Sequence, residues 1–369
     1  MIKGYYIYAI DENHRQDFGT SGVDRKVQNQ IEVMEQHGIV CSLRLVCIPN
    51  SITYKMQRSL PVGSNIDLWS SDGIEDADFV YIRKIPLKSD FMKFLQRIRK
   101  QNPDALILLE IPTYPYDGEA RTVSSHLSLL LDRHYRKYLK LYVNYVVDLF
   151  GYEQIFGIPT LHIMNGIPVT TTSMKKPSGN INDLRMVCAA SFDFWHGIDR
   201  LLEGISKYKE RGGQRQVHLT LIGQGTDQIN RQVQHLRLEQ EVTVIGPTDS
   251  NRLMQYYNQC NMGVESLARF RSHNTSLNSS LKSRDYLNSG LPFFGEGMVD
   301  VFNNREYPYY YQVPSDDTPI DMEEIFKFFD SIYLNSTEED VISRIHNFAR
   351  NEVDMSVTFS NVIQAIRDN

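Results

Sequence analysis

Short apolar runs alternate with amphipathic stretches along nearly the whole chain. That alternation predicts βα units and a parallel sheet. GYYIYAI (4–10) reads as a first strand, followed by the glycine-bearing loop DFGTSG. Val23, Val27, Ile31 and Met34 then recur at near-helical spacing, and Gly38 supplies a C-terminal stop. IVCSLRLVCI (39–48), ADFVYIRK (77–84) and ALILLEI (105–111) are further strands, with the helical SDFMKFLQRIRKQ between the last two. A long helix is predicted over TVSSHLSLLLDRHYRKYLK. The strands LYVNYVVDL and PTLHIM follow, closed by the turn pair Asn165-Gly166, read as structural.

The pattern then breaks. PVTTTSMKKPSGNIND (168–183) has prolines, threonines and no apolar period, so it is read as a linker. It restarts with LRMVCAA (184–190), a helix from about His196 to Arg211, VHLTLIG, a helix, VTVIG, a helix, NMGVESL, a helix from about 280 to 289, and PFFG. The expected division is 1–168, linker 169–183, 184–345, and a C-terminal helical segment 346–369, for which the family resemblance carried by residues 280–294 implies a crossing back to the first domain. The expected fold class is α/β, with two Rossmann-like doubly wound domains facing a cleft.

Composition narrows the function. A chain of 369 residues with 41% hydrophobic and 23% charged residues is an ordinary globular chain, too long for one core. Its net charge of −6 argues against a general nucleic-acid binder. No apolar run approaches the ~20 residues of a membrane span. The N-terminus reads as a strand rather than a signal peptide. Cys41, Cys47, Cys188 and Cys260 are scattered and lack metal spacing, so free thiols in a cytoplasmic protein are expected. The histidines form no metal pattern either.

The densest chemistry lies in SLKSRDYLNSGLPFF (280–294). At ~100° per residue, Lys282, Asp285, Tyr286 and Ser289 share one helix face. Ser279 or Ser280 is a plausible cap. Free N–H groups and the positive dipole end would meet an anion there, with Lys282 adding charge and Asp285 suited to sugar hydroxyls. The bland alternative is a solvated face carrying a Lys-to-Asp pair.

This segment resembles the nucleotide-binding helix of glycosyltransferases of GT-B fold, within them the retaining, family-4-like group 1 enzymes. Leu281, Lys282, Arg284, Tyr286, Leu287, Gly290, Leu291 and Pro292 carry the match. Asp285 stands where that family usually has a ribose-binding glutamate. The paired acid eight residues earlier would fall on Leu277 and is absent. LRMVCAASFDFWHGIDRLLEGISKY resembles the strand, loop and helix that carry an arginine and a lysine for the diphosphate. Ser191 and His196 stand near those positions, and His196 either donates to a phosphate or caps a helix beside Trp195. LTLIGQGTDQI resembles the glycine turn at which backbone approaches base or ribose, through Gly223 and Gly225. Arg269 and Arg271, in the loop before the binding helix, offer forks for a diphosphate or are exposed loop arginines.

In the first half, GTSGVDRKVQNQI resembles the family's glycine-rich loop. Gly19, Ser21 and Gly22 would let backbone approach the donor phosphate, or are turn residues only; Lys26, a turn further on, is a second cation or solvated. Glu110 ends a predicted strand, where open α/β sheets bind ligands. It is a candidate for acceptor binding or proton abstraction, against a structural salt bridge. Asp117, Glu119 and His126 are nearby alternatives, and Tyr114 and Tyr116 suit stacking on a sugar. RHYRKYLK (133–140) is a basic cluster that would suit anionic lipid head groups, as a peripheral membrane contact, or is a solvated face.

The resemblance implies transfer of a hexosyl group from a nucleotide diphosphate sugar to a hydroxyl of a glycan or lipid-linked acceptor, with retention, in polysaccharide or glycoconjugate synthesis. Lys282, Arg271 and Glu110 would be catalytic. Ser21, Gly22, Ser191, His196, Gly223, Gly225, Arg269, Ser280, Leu281 and Asp285 would bind the donor, and Tyr114, Tyr116 and His126 the acceptor. No cofactor or metal is expected, the nucleotide sugar being a substrate. An epimerase, a phosphorylase, or an inactive subunit paired with an active transferase are the alternatives. Each reading is compatible with an oligomer.

Overall fold

The structure, a computed structural model, describes residues 1–19, 21–51, 54, 68–84, 87–119, 122–271, 277–303 and 305–369. It divides into two units, Met1–Met164 with Thr358–Asn369, and Asn165–Val357.

The first unit is built on strands β1 (Ile2–Asp11), β2 (Ile39–Ile48), β3 (Phe79–Arg83), β4 (Leu106–Ile111), β5 (Tyr145–Asp148), β6 (Gln154–Ile155) and β7 (Ile158–His162). They form one sheet in the order β2-β1-β3-β4-β5-β7-β6. All pairs are parallel except the short β6–β7 hairpin. The strands β3 and β4 are buried along nearly their whole length, as continuous apolar runs in a two-sided parallel sheet require. Helix α1 (Gly22–Gln36) buries Val27, Val33 and Met34. Helix α2 (Ser89–Gln101) buries Phe91, Phe94, Leu95 and Ile98, with Phe94 stacked 5.3 Å from Trp69. Helix α3 covers Val123–Tyr135 and continues as a 3₁₀ segment, Arg136–Leu141.

The second unit contains β8 (Leu184–Ala190), β9 (Val217–Gly223), β10 (Val242–Ile245), β11 (Met262–Val264), β12 (Leu277–Asn278), β13 (Phe293–Glu296), β14 (Met298–Val299) and β15 (Tyr310–Val313). Six of them form a parallel sheet in the order β10-β9-β8-β11-β13-β15; β12 and β14 pair separately. Its helices are α4 (Ile198–Glu210), α5 (Thr226–His235), α6 (Ser250–Gln259), α7 (Leu281–Ser289), α8 (Met322–Tyr333) and α9 (Glu338–Glu352). Both sheets are doubly wound, and each has a point where strand order reverses, β1 against β3 and β8 against β11.

Two segments differ from the sequence expectation. The polar stretch 168–183 is packed into the second unit. Lys175 is buried, its ammonium 2.7 Å from Glu338, whose other oxygen accepts from the Ser178 and Gly179 N–H groups. Apolar periodicity cannot register a loop anchored by one carboxylate. The C-terminal boundary falls at 357/358. Residues 346–352 stay in α9, where buried His346 lies 2.6 Å from the Asn288 carbonyl. Helix α10 (Ser360–Arg367) belongs to the first unit, with Asn361 donating to the His162 carbonyl and Phe359 against Tyr81. The cysteines are free, three of them buried. Among the described residues no helix is long and apolar enough to cross a membrane.

Candidate functional site

In the second unit the sheet's reversal point lies between the C-terminal ends of β8 and β11, the usual ligand crevice of an open α/β sheet. Chain beyond β11 places Glu265 there, fully buried. Helix α7 starts beside it. Ser280 caps this helix by accepting from the Lys282 N–H at 3.1 Å. Tyr286, one turn on, is buried and donates to the Val264 carbonyl at 2.8 Å, which fixes the helix on the strand ends.

The Lys282 ammonium lies 2.9 Å from Glu265 Oε1 and donates to Ser266 Oγ at 3.2 Å. Glu265 also accepts from the backbone N–H groups of Ser266 (2.8 Å) and Ser283 (3.1 Å). Burial by itself would raise the Glu265 pKa. The Lys282 charge and these donors outweigh it and hold the carboxyl below its ordinary value. Of the three ammonium donors of Lys282, two are accounted for among the described residues. An anion placed there would meet a cation whose position is fixed in advance.

Around this pair the sequence-selected residues fall as follows. His196 is buried; burial, then the Lys282 charge, lowers its pKa to about 4, so the ring is neutral. Its Nδ1 lies 3.2 Å from the Asp193 carbonyl. Ser191 is exposed and donates to Asp193 at 2.9 Å. Gly223 and Gly225 bring β9 against β8 so closely that a Cβ would stand 1.8 Å from the Ala190 carbonyl oxygen at Gly223 and 3.0 Å from that of Ser191 at Gly225. Both have positive φ, so only glycine fits. Arg269 is half-buried. Burial lowers its pKa, opposed by Glu265 and Glu296. Leu281 opens α7, and Asp285 is half-buried on it.

Arg271 departs from expectation. Its guanidinium bonds Asp199 of α4 through both terminal nitrogens (2.9 and 2.8 Å) and Asp317 through Nε (2.8 Å). Two carboxylates already offset its charge, so it ties the loop ahead of α7 to α4. Arg284 is fully buried and turned from the pair. It donates to the Asn165 carbonyl at 2.7 Å and pairs with Asp300. Asn165 in turn donates to the Ser279 carbonyl at 2.6 Å, so the turn pair braces the entry to α7.

In the first unit, β1 and β3 meet at the reversal point, where a capping box closes α1. Ser21 accepts from the Asp24 N–H and Asp24 from the Ser21 N–H; Gly22 is the first helical residue. His14 Nε2 lies 2.6 Å from Asp24. Glu110, fully buried, pairs with Arg83 and with Lys26 (2.9 Å), and accepts from Tyr81 (2.6 Å) and Gln30 (3.4 Å). Burial would raise its pKa. Arg83 and Lys26 reverse that and take it to about 2. A carboxylate so tightly paired has little proton affinity near neutral pH, which makes it a poor general base. Tyr114 packs edge-on against Tyr152 and Phe156. Tyr116 donates to Asp132 at 2.5 Å beneath the Lys84 ammonium, and exposed His126 bonds its own helix at the Thr122 carbonyl.

Sequence reasoning missed Glu265, Arg83, Gln30 and the His14–Asp24 contact. Glu265 had the signal that selected Glu110, a carboxylate ending an apolar strand. No metal-binding cluster of acidic, histidine and cysteine residues occurs among the described residues.

Two doubly wound parallel sheets in one chain define the GT-B class of fold. A glycosyltransferase from Rickettsia africae ESF-5 matches it with a TM-score of 0.65 at 11% identity, over 100% of this chain and 98% of that one. Sucrose-phosphate synthase from Thermosynechococcus elongatus matches at 0.62 and 12%, over 100% and 99%. HepE from Anabaena, in complex with UDP-glucose, matches at 0.59 and 12%, over 100% of both chains. No curated protein matches by sequence. Residues 170–266, within the second unit, match the family described as glycosyl transferases group 1. Over that stretch the chain is similar to the group 1 glycosyltransferases, and over its whole length it has the GT-B fold.

Proposed function

We propose that the chain transfers a hexosyl group from a nucleotide diphosphate sugar to a hydroxyl of a glycan or lipid-linked acceptor, with retained anomeric configuration. The observation that carries this reading is the Lys282–Glu265 pair beside the capped start of α7, at the reversal point of the second sheet. As the bond from the anomeric carbon to phosphate breaks, negative charge grows on the leaving oxygen. The Lys282 ammonium is assigned to it, with the positive end of the α7 dipole and Arg269 adding to the local positive potential. Fixed donors of this kind typically contribute about 3–4 kcal/mol to lowering a barrier. The acceptor oxygen takes the anomeric carbon, and its proton leaves to the diphosphate.

Asp285 is assigned to the ribose hydroxyls. Gly223, Gly225, Ser191 and His196 are assigned to the backbone-lined floor for base and ribose. His196, being neutral, serves as a hydrogen-bonding group and adds no charge. In the first unit, Ser21 and Gly22 are assigned to donor phosphate contacts, and Tyr114, Tyr116 and His126 to the acceptor. Glu110 is assigned to holding Lys26 and Arg83 in place. HepE, solved with UDP-glucose, supports a nucleotide diphosphate sugar as donor.

The test is a thermal-shift screen against UDP-, GDP-, ADP- and TDP-linked sugars, followed by product analysis with acceptor extract. A true donor at ~100 times its dissociation constant stabilises by about 2.7 kcal/mol. Stabilisation by none of them would overturn the reading. Binding without transfer to any acceptor would leave a nucleotide-binding protein and remove the transferase.

A further inference from the structure

Strand β15 closes one edge of the second sheet and pairs only with β13. Its outer edge is closed to a further strand. It is four residues long, and Pro308 and Pro314, which flank it, each lack the N–H that would extend a ladder. Beside it lies a cavity of about 640 Å³, lined from the chain between 298 and 312 and by Phe328 of α8.

Rings form its walls. Tyr307 stacks on Phe302 with centroids 4.4 Å apart, and Tyr310 packs 5.4 Å from the same ring. Tyr311 lies 5.5 Å from Phe328. Tyr307, Tyr311 and Phe328 are each half-buried, so part of every ring stays open. Polar groups stand among them. Arg305, Glu306 and Gln312 are exposed at the cavity, and among the described residues their side chains make no hydrogen bond or ion pair. An apolar occupant would strip these three groups of water and give them no partner. An anionic occupant would meet Glu306 as well as Arg305, one charge cancelling the other. A neutral pyranose matches both features. Its C–H face lies on an aromatic ring, and its hydroxyls donate to a carboxylate and accept from a guanidinium or an amide.

We propose that this groove binds neutral hexose units of a glycan chain, at a site separate from Lys282 and Glu265. Tyr310 joins the two sites. Its hydroxyl lies 3.0 Å from the Gly295 carbonyl oxygen and 2.5 Å from that of Gly297. Gly295 packs so closely on Glu265 that a Cβ there would stand 2.6 Å from the Glu265 Cβ. The wall of the groove is therefore continuous with the strand end that holds the donor pair. Binding of a free glycan needs no transfer, so the proposal stands apart from the transferase reading.

The full chain is mixed with maltohexaose, cellohexaose and mannohexaose, and saturation-transfer NMR reads the sugar-ring protons. At least one of these sugars is expected to receive saturation from the aromatic side chains. Gln312→Ala is expected to weaken that binding roughly three- to tenfold, the loss of one hydrogen bond, with Tm unchanged because the side chain bonds nothing in the fold. Tyr311→Ala, checked for folding by circular dichroism, is expected to weaken it by at least as much. The thermal shift given by nucleotide sugars is expected to be the same in both variants as in the parent chain. Absence of transfer to all three sugars, or unchanged binding in Gln312→Ala, would overturn the proposal. So would displacement of the sugar by UDP, which would give the binding to the donor site. Light scattering that shows a dimer dispersed by Gln312→Ala would also overturn it, by giving the groove to a second copy.

Discussion

Lys282 Nζ lies 2.9 Å from Glu265 Oε1, and the carboxylate of that pair is fully buried. The lysine is fixed by a strand end, though it belongs to a helix. Removing it therefore has two effects. Lys282→Ala is expected to lower kcat by about 10²–10³-fold. It is also expected to cost about 3–5 kcal/mol of stability, because Glu265 loses its counter-charge. Lys282→Ala combined with Glu265→Gln separates the effects. Urea unfolding should recover most of the stability and kinetics none of the turnover. Recovery of turnover in the double variant would remove Lys282 from the chemistry.

Arg271 gives the contrasting case. Its bonds to Asp199 and Asp317 are partly exposed, so Arg271→Ala is expected to cost about 1 kcal/mol or less in unfolding measurements. Its effect on kcat should be at least tenfold smaller than that of Lys282→Ala. An equal loss of kcat would mean that the guanidinium acts on the donor despite its two carboxylates.

Glu110 predicts a pH dependence. Its carboxyl titrates near 2 in the fold against an ordinary 4.5. A depressed folded pKa contributes fully above the unfolded value, so its contribution is complete above pH ~4.5 and fades as pH falls toward 2. The shift corresponds to about 3 kcal/mol. Glu110→Gln is expected to lose about that much at pH 7 and progressively less below pH ~4.5, read by denaturant unfolding across pH. A constant gap from neutral to acid pH would contradict the ion-pair role. Turnover retained in folded Glu110→Gln would confirm that the residue is not the base.

Lys175 and Glu338 test the anchored polar segment. Both side chains are nearly inaccessible, and Glu338 also holds the Ser178 and Gly179 N–H groups. Glu338→Ala should cost about 3–5 kcal/mol in chemical unfolding. It should also open the 175–179 backbone to hydrogen exchange. A loss under ~1 kcal/mol would show a loosely attached linker.

Much of the fold was legible. The runs 39–48, 184–190 and 217–223 are strands with the predicted ends; the central β8 reads as a nearly continuous apolar run, and the partly exposed edge strand β2 is legible through its isoleucine and valine content. Helix α2 matched its predicted span for the complementary reason, a one-sided apolar stripe. Strand β15 was missed. YYQV lies between Pro308 and Pro314, is largely half-exposed, and pairs only at the sheet edge with β13. The long helix 122–140 was overextended, because its last turns tighten to 3₁₀ without any change in composition.

The sequence by itself determined the alternation of strands and helices, the cap and stop of α7, and the concentration of cations before it. These are local, set by side-chain period, backbone propensity and near-neighbour hydrogen bonds. Tertiary structure alone decided which partners each cation meets. Lys282 and Arg271 look alike in sequence, yet one meets a buried glutamate at a strand end and the other meets two surface aspartates. Glu110 likewise became an ion-pair hub because Lys26, Gln30, Tyr81 and Arg83 arrive from α1 and β3. A charge takes its role from the partners that enclose it and from the water they exclude, and chain order does not record which partners those are.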